Sequence, residues 1–263
     1  MISLVLPAYN PGELVSQTWH AVREFLRARP DPWEVLIVCD GCTDGTPARL
    51  AELEQTSPDS RIRVLSYEKN RGKGYAVRLG LLNANGDWRV FTDIDLAYNF
   101  SDVARIADEL RNGASVAIAS REHPESIIQL SPQYLGYAYR RRLQSKVFGT
   151  AARLLLPIRQ YDTQAGLKGL TAQVAELILP LLRCDGFGFD CELLTACARY
   201  NIPVQEVPVC VQYHDAASST GGIRTIWKML RELQTIRKMW PRAGYPAPIS
   251  TVGTVNSEQA RAA

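Results

Sequence analysis

"WRVFTDIDLAYNF", residues 88–100, decides the fold. The segment WRVFTD is predicted to be a short buried strand, and it ends in two carboxylates, Asp93 and Asp95, before a tyrosine-containing loop. Side chains alternate along a strand, so the two acids are expected to point to one face at its carboxyl end. Two like charges held that close need a counter-charge. A bound cation, a neighbouring Arg or Lys, and a shared proton are the three ways to supply it. An Asp-x-Asp taken alone is also a common solvated turn, so its meaning depends on what surrounds it.

Outward from this stretch, short apolar runs alternate with amphipathic ones. ISLVLP reads as a first strand, and Val15, Thr18, Trp19, Val22, Phe25 and Leu26 then recur at helical spacing. WEVLIVCD is a second strand, followed by a helix near Pro47 to Gln55, with Pro47 suited to the first turn. IRVLSY is the third strand, with a helix from about Tyr75 to Asn83 after it. After the strand at 88, Ser101 is placed to cap a helix carrying Val103, Ile106 and Leu110, and SVAIAS is the fifth strand. Such alternation implies a mostly parallel sheet sandwiched by helices, an α/β fold of Rossmann type.

In sheets of this kind ligands sit outside the carboxyl ends of the strands. Those ends read PAYN, CDGCTDGT, EKNRGKG, TDID and SRE, all polar, charged or turn-forming. Gly41 and Gly45 permit tight turns, and Asp40 could accept hydrogen bonds from a base N–H or a ribose hydroxyl. Asp44 is read as an ordinary turn or capping residue. NRGKG puts Arg71 and Lys73 among glycines at a helix start, where backbone amides favour an anion. Asp93 and Asp95 suit a hard divalent ion, Mg²⁺ or Mn²⁺, that also bridges phosphate oxygens and neutralises a departing diphosphate.

At 263 residues the chain fits one large domain, or a domain with a small appendage. A net charge of +3 gives no reason to expect a nucleic-acid partner. The six cysteines lack paired metal-ligand spacings, and the Cys39/Cys42 CxxC is read as packing and turn residues, so a reduced cytoplasmic protein is expected. No window approaches the length of a membrane span. The tail from residue 245, rich in Pro, Ser and Ala without periodicity, is expected to be disordered.

The order LPAYN, VCDGCTDGT, NRGKG, FTDID, SRE, DTQAGLK and FGFDCELL resembles the family 2 glycosyltransferases with the GT-A fold, nearest the dolichyl- and polyprenyl-phosphate glucose and mannose synthases. The likeness runs from about residue 2 to 215. It implies a nucleotide-sugar-binding half over 1–121 and an acceptor half over 122–215; beyond it, residues 216–244 read as an amphipathic helical extension. It further implies that Pro7, Ala8 and Tyr9 line the base pocket, that Asp40 holds the base or ribose, and that Asp93 and Asp95 hold the metal. Lys73 falls near the sugar nucleotide, Arg121 approaches phosphate, and Asp162 with Gln164 lies beside the donor sugar. Two departures stand out: Pro11 and Gly12 replace the usual acid after the first strand, leaving Glu13 as the nearest substitute, and Ala97 stands where the mannose synthases often carry a glutamine.

The acceptor side is less determined. A hydroxyl acceptor needs a base, for which Asp162, Asp190 and Glu192 are candidates, whereas a phosphate acceptor is already an anion. Arg142, Lys146 and Arg153 form a basic stripe beside Leu143, Val147 and Leu154 on a helix over 134–156, with Arg142 and Lys146 candidates for acceptor phosphate. A second basic helix carries Arg224, Lys228, Arg231 and Lys238 on one face and Ile223, Trp227, Leu230 and Leu233 near another. Such helices can lie on anionic membrane surfaces with Trp227 and Trp240 at the headgroups, or simply pack their apolar faces on the core. The expected activity is metal-dependent, inverting transfer of hexose from UDP-glucose or GDP-mannose to a polyprenyl phosphate, at the inner face of the membrane. A soluble hydroxyl acceptor, such as a natural product or nucleoside, is the alternative. A sugar-nucleotide binding protein without transfer is the third reading.

Overall fold

A computed structural model describes residues 1–129, 135–212 and 223–240; side chains at 135, 137–144, 212 and 223–229 lie outside what it describes. The elements in chain order are β1 (Ile2–Ala8), α1 (Leu14–Ala28), β2 (Trp33–Asp40), α2 (Thr46–Thr56), β3 (Ile62–Tyr67), α3 (Lys73–Asn83), β4 (Trp88–Phe91), α4 (Phe100–Arg111) and β5 (Val116–Ser120). They continue with β6 (Ile127–Gln129), α5 (Leu135–Leu155), β7 (Lys168–Thr171), α6 (Ala172–Ile178), α7 (Phe189–Arg199), β8 (Val204–Pro208), β9 (Cys210–Gln212) and α8 (Ile223–Met239). The expected tail from residue 245 lies outside the described residues.

Seven strands form one sheet in the order β3-β2-β1-β4-β7-β5-β8. β1 and β2 are buried at every position, as strands covered on both faces must be. Helix α1 buries Val15, Thr18, Trp19, Val22, Phe25 and Leu26, the six positions its spacing picks out, against one face. Helices α3, α6 and α7 pack on the other face, joined by Leu233, Ile236 and Trp240 of the C-terminal region.

β7 departs from the parallel pattern. It runs antiparallel between β4 and β5, pairing Phe91 with Lys168 and Ile118 with Lys168 at its start. An inserted antiparallel strand begins at the edge where its parallel neighbours end. Residues 162–167, which lead into β7, are thereby carried to the carboxyl ends of β1, β2, β4 and β5. The apolar segment VQEVPVCVQY, residues 204–213, contributes two strands: β8 joins the main sheet, while β9 pairs with β6 in a separate two-stranded sheet.

Two local expectations are corrected. Helix α4 is capped by Asn99, not Ser101: the Asn99 side chain accepts the Asp102 N–H at 2.8 Å, and Ser101 Oγ donates to the same oxygen. An extended Asn two positions earlier offers its oxygen in the preferred capping geometry, and it lets Phe100 stack on Phe25 at 4.5 Å. The basic helix α8 does not carry Trp240 to a membrane surface. Trp240 is buried and donates its indole N–H to Glu192 at 3.0 Å, because its apolar surface completes the core on α7. Trp227 lies outside the described side chains.

Candidate active site

β4 ends at Phe91, where its partners on both sides stop pairing with it, so Asp93 and Asp95 stand in a turn and not on a strand. Leu96 N–H closes that turn on the Asp93 carbonyl, with Leu96 itself at φ 50°. The expectation that strand alternation aligns the two acids is therefore corrected: their arrangement comes from the turn. Asp95 Oδ1 accepts the Ala97 N–H at 3.1 Å, and Asp93 Oδ1 pairs with Lys73 Nζ at 2.5 Å. The counter-charge on hand is thus Lys73, the first residue of α3. Burial by itself lowers the Lys73 ammonium, but Asp93, Asp190 and Asp95 outweigh it and hold the group above its ordinary value.

The Asp93 carboxylate rests over Gly166, where any Cβ would overlap Oδ2. Gly166 belongs to the loop that the antiparallel β7 brings to this edge. Lys168, fully buried, ties the loop down by donating to the Ala165 carbonyl and to Asp190 Oδ1, the latter at 2.6 Å. A buried ammonium needs such partners. Sequence reasoning missed Lys168 and Gly166; the one signal was a lone lysine inside the apolar run AGLKGL.

Asp162 and Arg121 form a two-pronged pair, Nε to Oδ2 at 2.7 Å and Nη2 to Oδ1 at 2.8 Å, with the Arg121 N–H also donating to Oδ2. Burial pushes the Asp162 carboxyl up, but Arg121, by charge and hydrogen bonds, and then Lys168 hold it below its ordinary value. Gln164 donates its backbone N–H to Asp162 and its side-chain amide to Cys191 Sγ at 3.6 Å. Arg121 reaches Ser145 of α5 at 3.4 Å, and Lys146 pairs with Glu122 at 3.7 Å. Arg142 lies on α5 with its side chain outside the described residues.

Asp40, at the end of β2, is 3% exposed and accepts from Tyr67 Oη, Arg71 N–H, Gly72 N–H and Asn70 Nδ2. Those donors take up the roughly four lone-pair positions of a carboxylate. Its direct effect is to clamp the 70–72 turn, which launches α3 and Lys73. At the end of β1, Pro7 and Ala8 are buried and Tyr9 is 56% exposed. Asp44 accepts from Thr46 and from the Gly12 N–H, the turn role read for it, and Glu13 pairs with Arg49. Cys39 is buried and its thiol pushed up to about 12, by burial first and then by Cys42.

Glu192 has no exposure: Oε2 accepts the Arg183 and Cys184 N–H groups and Oε1 accepts the Trp240 indole. It fastens the 183–188 loop, whose backbone lies against Gly72 and Gly74. Among the described residues, no cluster of three or more His, Cys, Asp or Glu could by itself hold a metal. Asp93 and Asp95 are two hard oxygen donors on one turn, with the Asp93 side chain 37% exposed. That donor set fits a divalent cation that takes its remaining ligands from substrate and water.

Residues 3–172 match the family described as glycosyl transferase family 2. The dolichyl-phosphate beta-glucosyltransferase of Saccharomyces cerevisiae is 31% identical over 255 residues, covering 90% of this chain and 74% of that one. Its namesakes from Dictyostelium discoideum and Homo sapiens are 29% and 31% identical over 79% of this chain, which spans 65% and 66% of their lengths. Among solved structures, glucosyl-3-phosphoglycerate synthase from Mycobacterium tuberculosis in complex with UDP superposes with a TM-score of 0.61 at 18% identity, over 93% of this chain and 82% of that one. The mannosyltransferase PcManGT from Pyrobaculum calidifontis, in complex with GDP-Man and Mn²⁺, gives 0.55 at 20% identity, over 94% and 66%. At those identities the structural likeness carries the fold alone. Sequence match, sheet order and the acid turn at the strand ends converge: the chain is a glycosyltransferase that belongs to glycosyl transferase family 2 and has the GT-A fold.

Proposed function

We propose that the protein transfers a hexose from a nucleotide diphosphate sugar to a polyprenyl phosphate, with inversion and with a divalent metal. One observation carries the choice of acceptor. The three carboxylates named as candidate bases are already committed inside the protein: Asp162 to Arg121, Asp190 to Lys168, Glu192 to two backbone amides and Trp240. A site whose acids are so engaged suits an acceptor that arrives ionised, and a lipid phosphate does. The names of the curated relatives support the same acceptor class, and they favour UDP-glucose over GDP-mannose as donor.

In this reading residues 1–121 bind the donor and 122–215 the acceptor, and of the extension expected over 216–244 the described part, α8 and Trp240, is braced against α7. Pro7, Ala8 and Tyr9 border the nucleoside, and Asp40 serves it by fixing Tyr67 and the 70–72 turn. Asp93 and Asp95 would hold Mg²⁺ or Mn²⁺, and the ion would supply charge neutralisation to the leaving diphosphate. Charge balance supports that ion: Lys73, Arg121 and Lys168 face Asp93, Asp95, Asp162 and Asp190, so three cations meet four carboxylates before a diphosphate arrives. Asp162, aligned by Arg121, and Gln164 shape the sugar and acceptor side. Lys146 and Arg142 of α5 receive the acceptor phosphate. A phosphate oxygen of the acceptor bonds to the anomeric carbon while the bond from that carbon to the nucleoside diphosphate breaks, the electron pair leaving with the diphosphate.

Among the described residues no helix is long and apolar enough to cross a membrane. α5 nevertheless leaves Val147 and Leu154 62% and 77% exposed beside Lys146, which supports peripheral contact with the bilayer that holds the acceptor. The test is mass analysis of products after incubation with UDP-glucose or GDP-mannose, Mn²⁺ and polyprenyl phosphate. A lipid-linked hexose is expected. Hexose appearing only on soluble hydroxyl compounds overturns the acceptor assignment, and binding of sugar nucleotide without any turnover overturns the proposed transfer.

A further inference from the structure

We infer that Lys73 is an internal stand-in for the metal: it neutralises Asp93 in the ligand-free protein and must be drawn onto the donor diphosphate before a divalent ion can bind fully, so that sugar nucleotide and metal bind cooperatively. This rests on the proposed donor site and assigns it an order of filling.

Lys73 Nζ lies 2.5 Å from Asp93 Oδ1, and its other electrostatic partners are Asp190 and Asp95. An ammonium at a ligand oxygen both occupies a lone pair and repels a second cation, so a divalent ion approaching the empty protein meets a site that is already partly neutralised. The second carboxylate, Asp95, spends Oδ1 on the Ala97 N–H. Lys73 cannot leave toward the interior: Gly166 fills the space behind Asp93, and Asp190 is already paired with Lys168.

It can leave toward phosphate. Lys73 is the first residue of α3, an eleven-residue helix, and the positive end of a helix dipole favours an anion beside it. The turn before it is held by Asp40, with Gly72 at φ 105° pressed on the Asp185 carbonyl. The base of Lys73 is therefore fixed while its flexible stem carries the ammonium, 22% exposed as a side chain, between one anion and another. A diphosphate brings two negative charges to the helix start, releases Asp93, and leaves the carboxylates of the turn for the metal. By reciprocity the metal must then raise nucleotide affinity by the same factor.

The experiment is calorimetric titration of Mn²⁺ into wild type, Lys73→Met and Lys73→Arg, each alone and saturated with UDP or GDP, with folding checked by circular dichroism. Wild type is expected to bind Mn²⁺ weakly alone and at least about tenfold more tightly with nucleotide. Lys73→Met is expected to bind Mn²⁺ alone about tenfold more tightly than wild type, to bind nucleotide more weakly, and to lose most of the cooperativity. Lys73→Arg, which keeps the charge, should retain weak metal binding in the absence of nucleotide. If wild type shows the cooperativity and Lys73→Met shows it undiminished, the stand-in role is wrong while the metal site stands. If no variant binds Mn²⁺ with or without nucleotide, the metal site and the stand-in role fall together.

Discussion

The Trp240 indole N–H meets Glu192 Oε1 at 3.0 Å across 48 residues of sequence, and the other oxygen of the same carboxylate takes the Arg183 and Cys184 amides. Glu232 of α8 accepts the Gly188 N–H at 2.7 Å on the same loop. That loop lies against Gly72 and Gly74. Helix α8 thus braces the turn that aims Lys73, from well beyond residue 172, where the family match ends.

Replacing Trp240 by Phe keeps most of the packing and removes the donor, leaving a fully buried oxygen short of one hydrogen bond. Thermal or urea unfolding should register a loss of about 1–3 kcal/mol. An unchanged midpoint would mean that Glu192 finds another donor at no cost.

Lys168→Met takes from the buried Asp190 the ammonium hydrogen-bonded to it. The expected loss is about 3–5 kcal/mol, partly recovered by adding Asp190→Asn, which removes the carboxylate charge. Equilibrium denaturation of the single and double variants measures both, and equal stability of the two would contradict the pairing.

Gly166→Ala places a methyl group where Asp93 Oδ2 now sits. The Asp93 side chain can swing away, so the fold should survive with little change in melting temperature. Metal-assisted nucleotide affinity and sugar transfer should both fall. Because Asp93 and Asp95 are assigned to charge developing on the leaving group, Asp93→Asn or Asp95→Asn should cut the transfer rate by roughly 10²–10³, and turnover at the wild-type rate in either variant would remove the metal assignment.

The depressed Asp162 carboxyl carries a definite pH signature. A carboxylate held below its ordinary value of 3.8 stabilises the fold fully above that value, and the benefit disappears as pH falls through the folded-state value. The stability gap between wild type and Asp162→Asn should therefore be complete near neutrality and close on acidification below about pH 4. Melting curves of both proteins across that range test it; a gap that widens in acid would mean the Arg121 pair is not what depresses the carboxyl.

Much of this molecule was legible in its residues. The 3.6-residue recurrence from Val15 to Leu26 named the buried face of α1 in full, and the polar strand ends marked the edge where the site lies. The motif order named the family. Short-range patterns suffice there because strand burial, helix periodicity and turn chemistry depend on neighbours a few positions apart. Even locally the reading slipped where two residues competed, as Asn99 and Ser101 did for one helix cap.

What the tertiary structure alone decided concerns partners far apart in the chain. No local pattern says that β7 enters the sheet antiparallel, yet that insertion sets Gly166 under Asp93 and Lys168 against Asp190. Nor does the sequence say which charges meet: Lys73 with Asp93, Arg121 with Asp162, and a fully satisfied Asp40. A carboxylate's chemistry depends on the donors within a few ångströms of it, and those are fixed by how the layers pack.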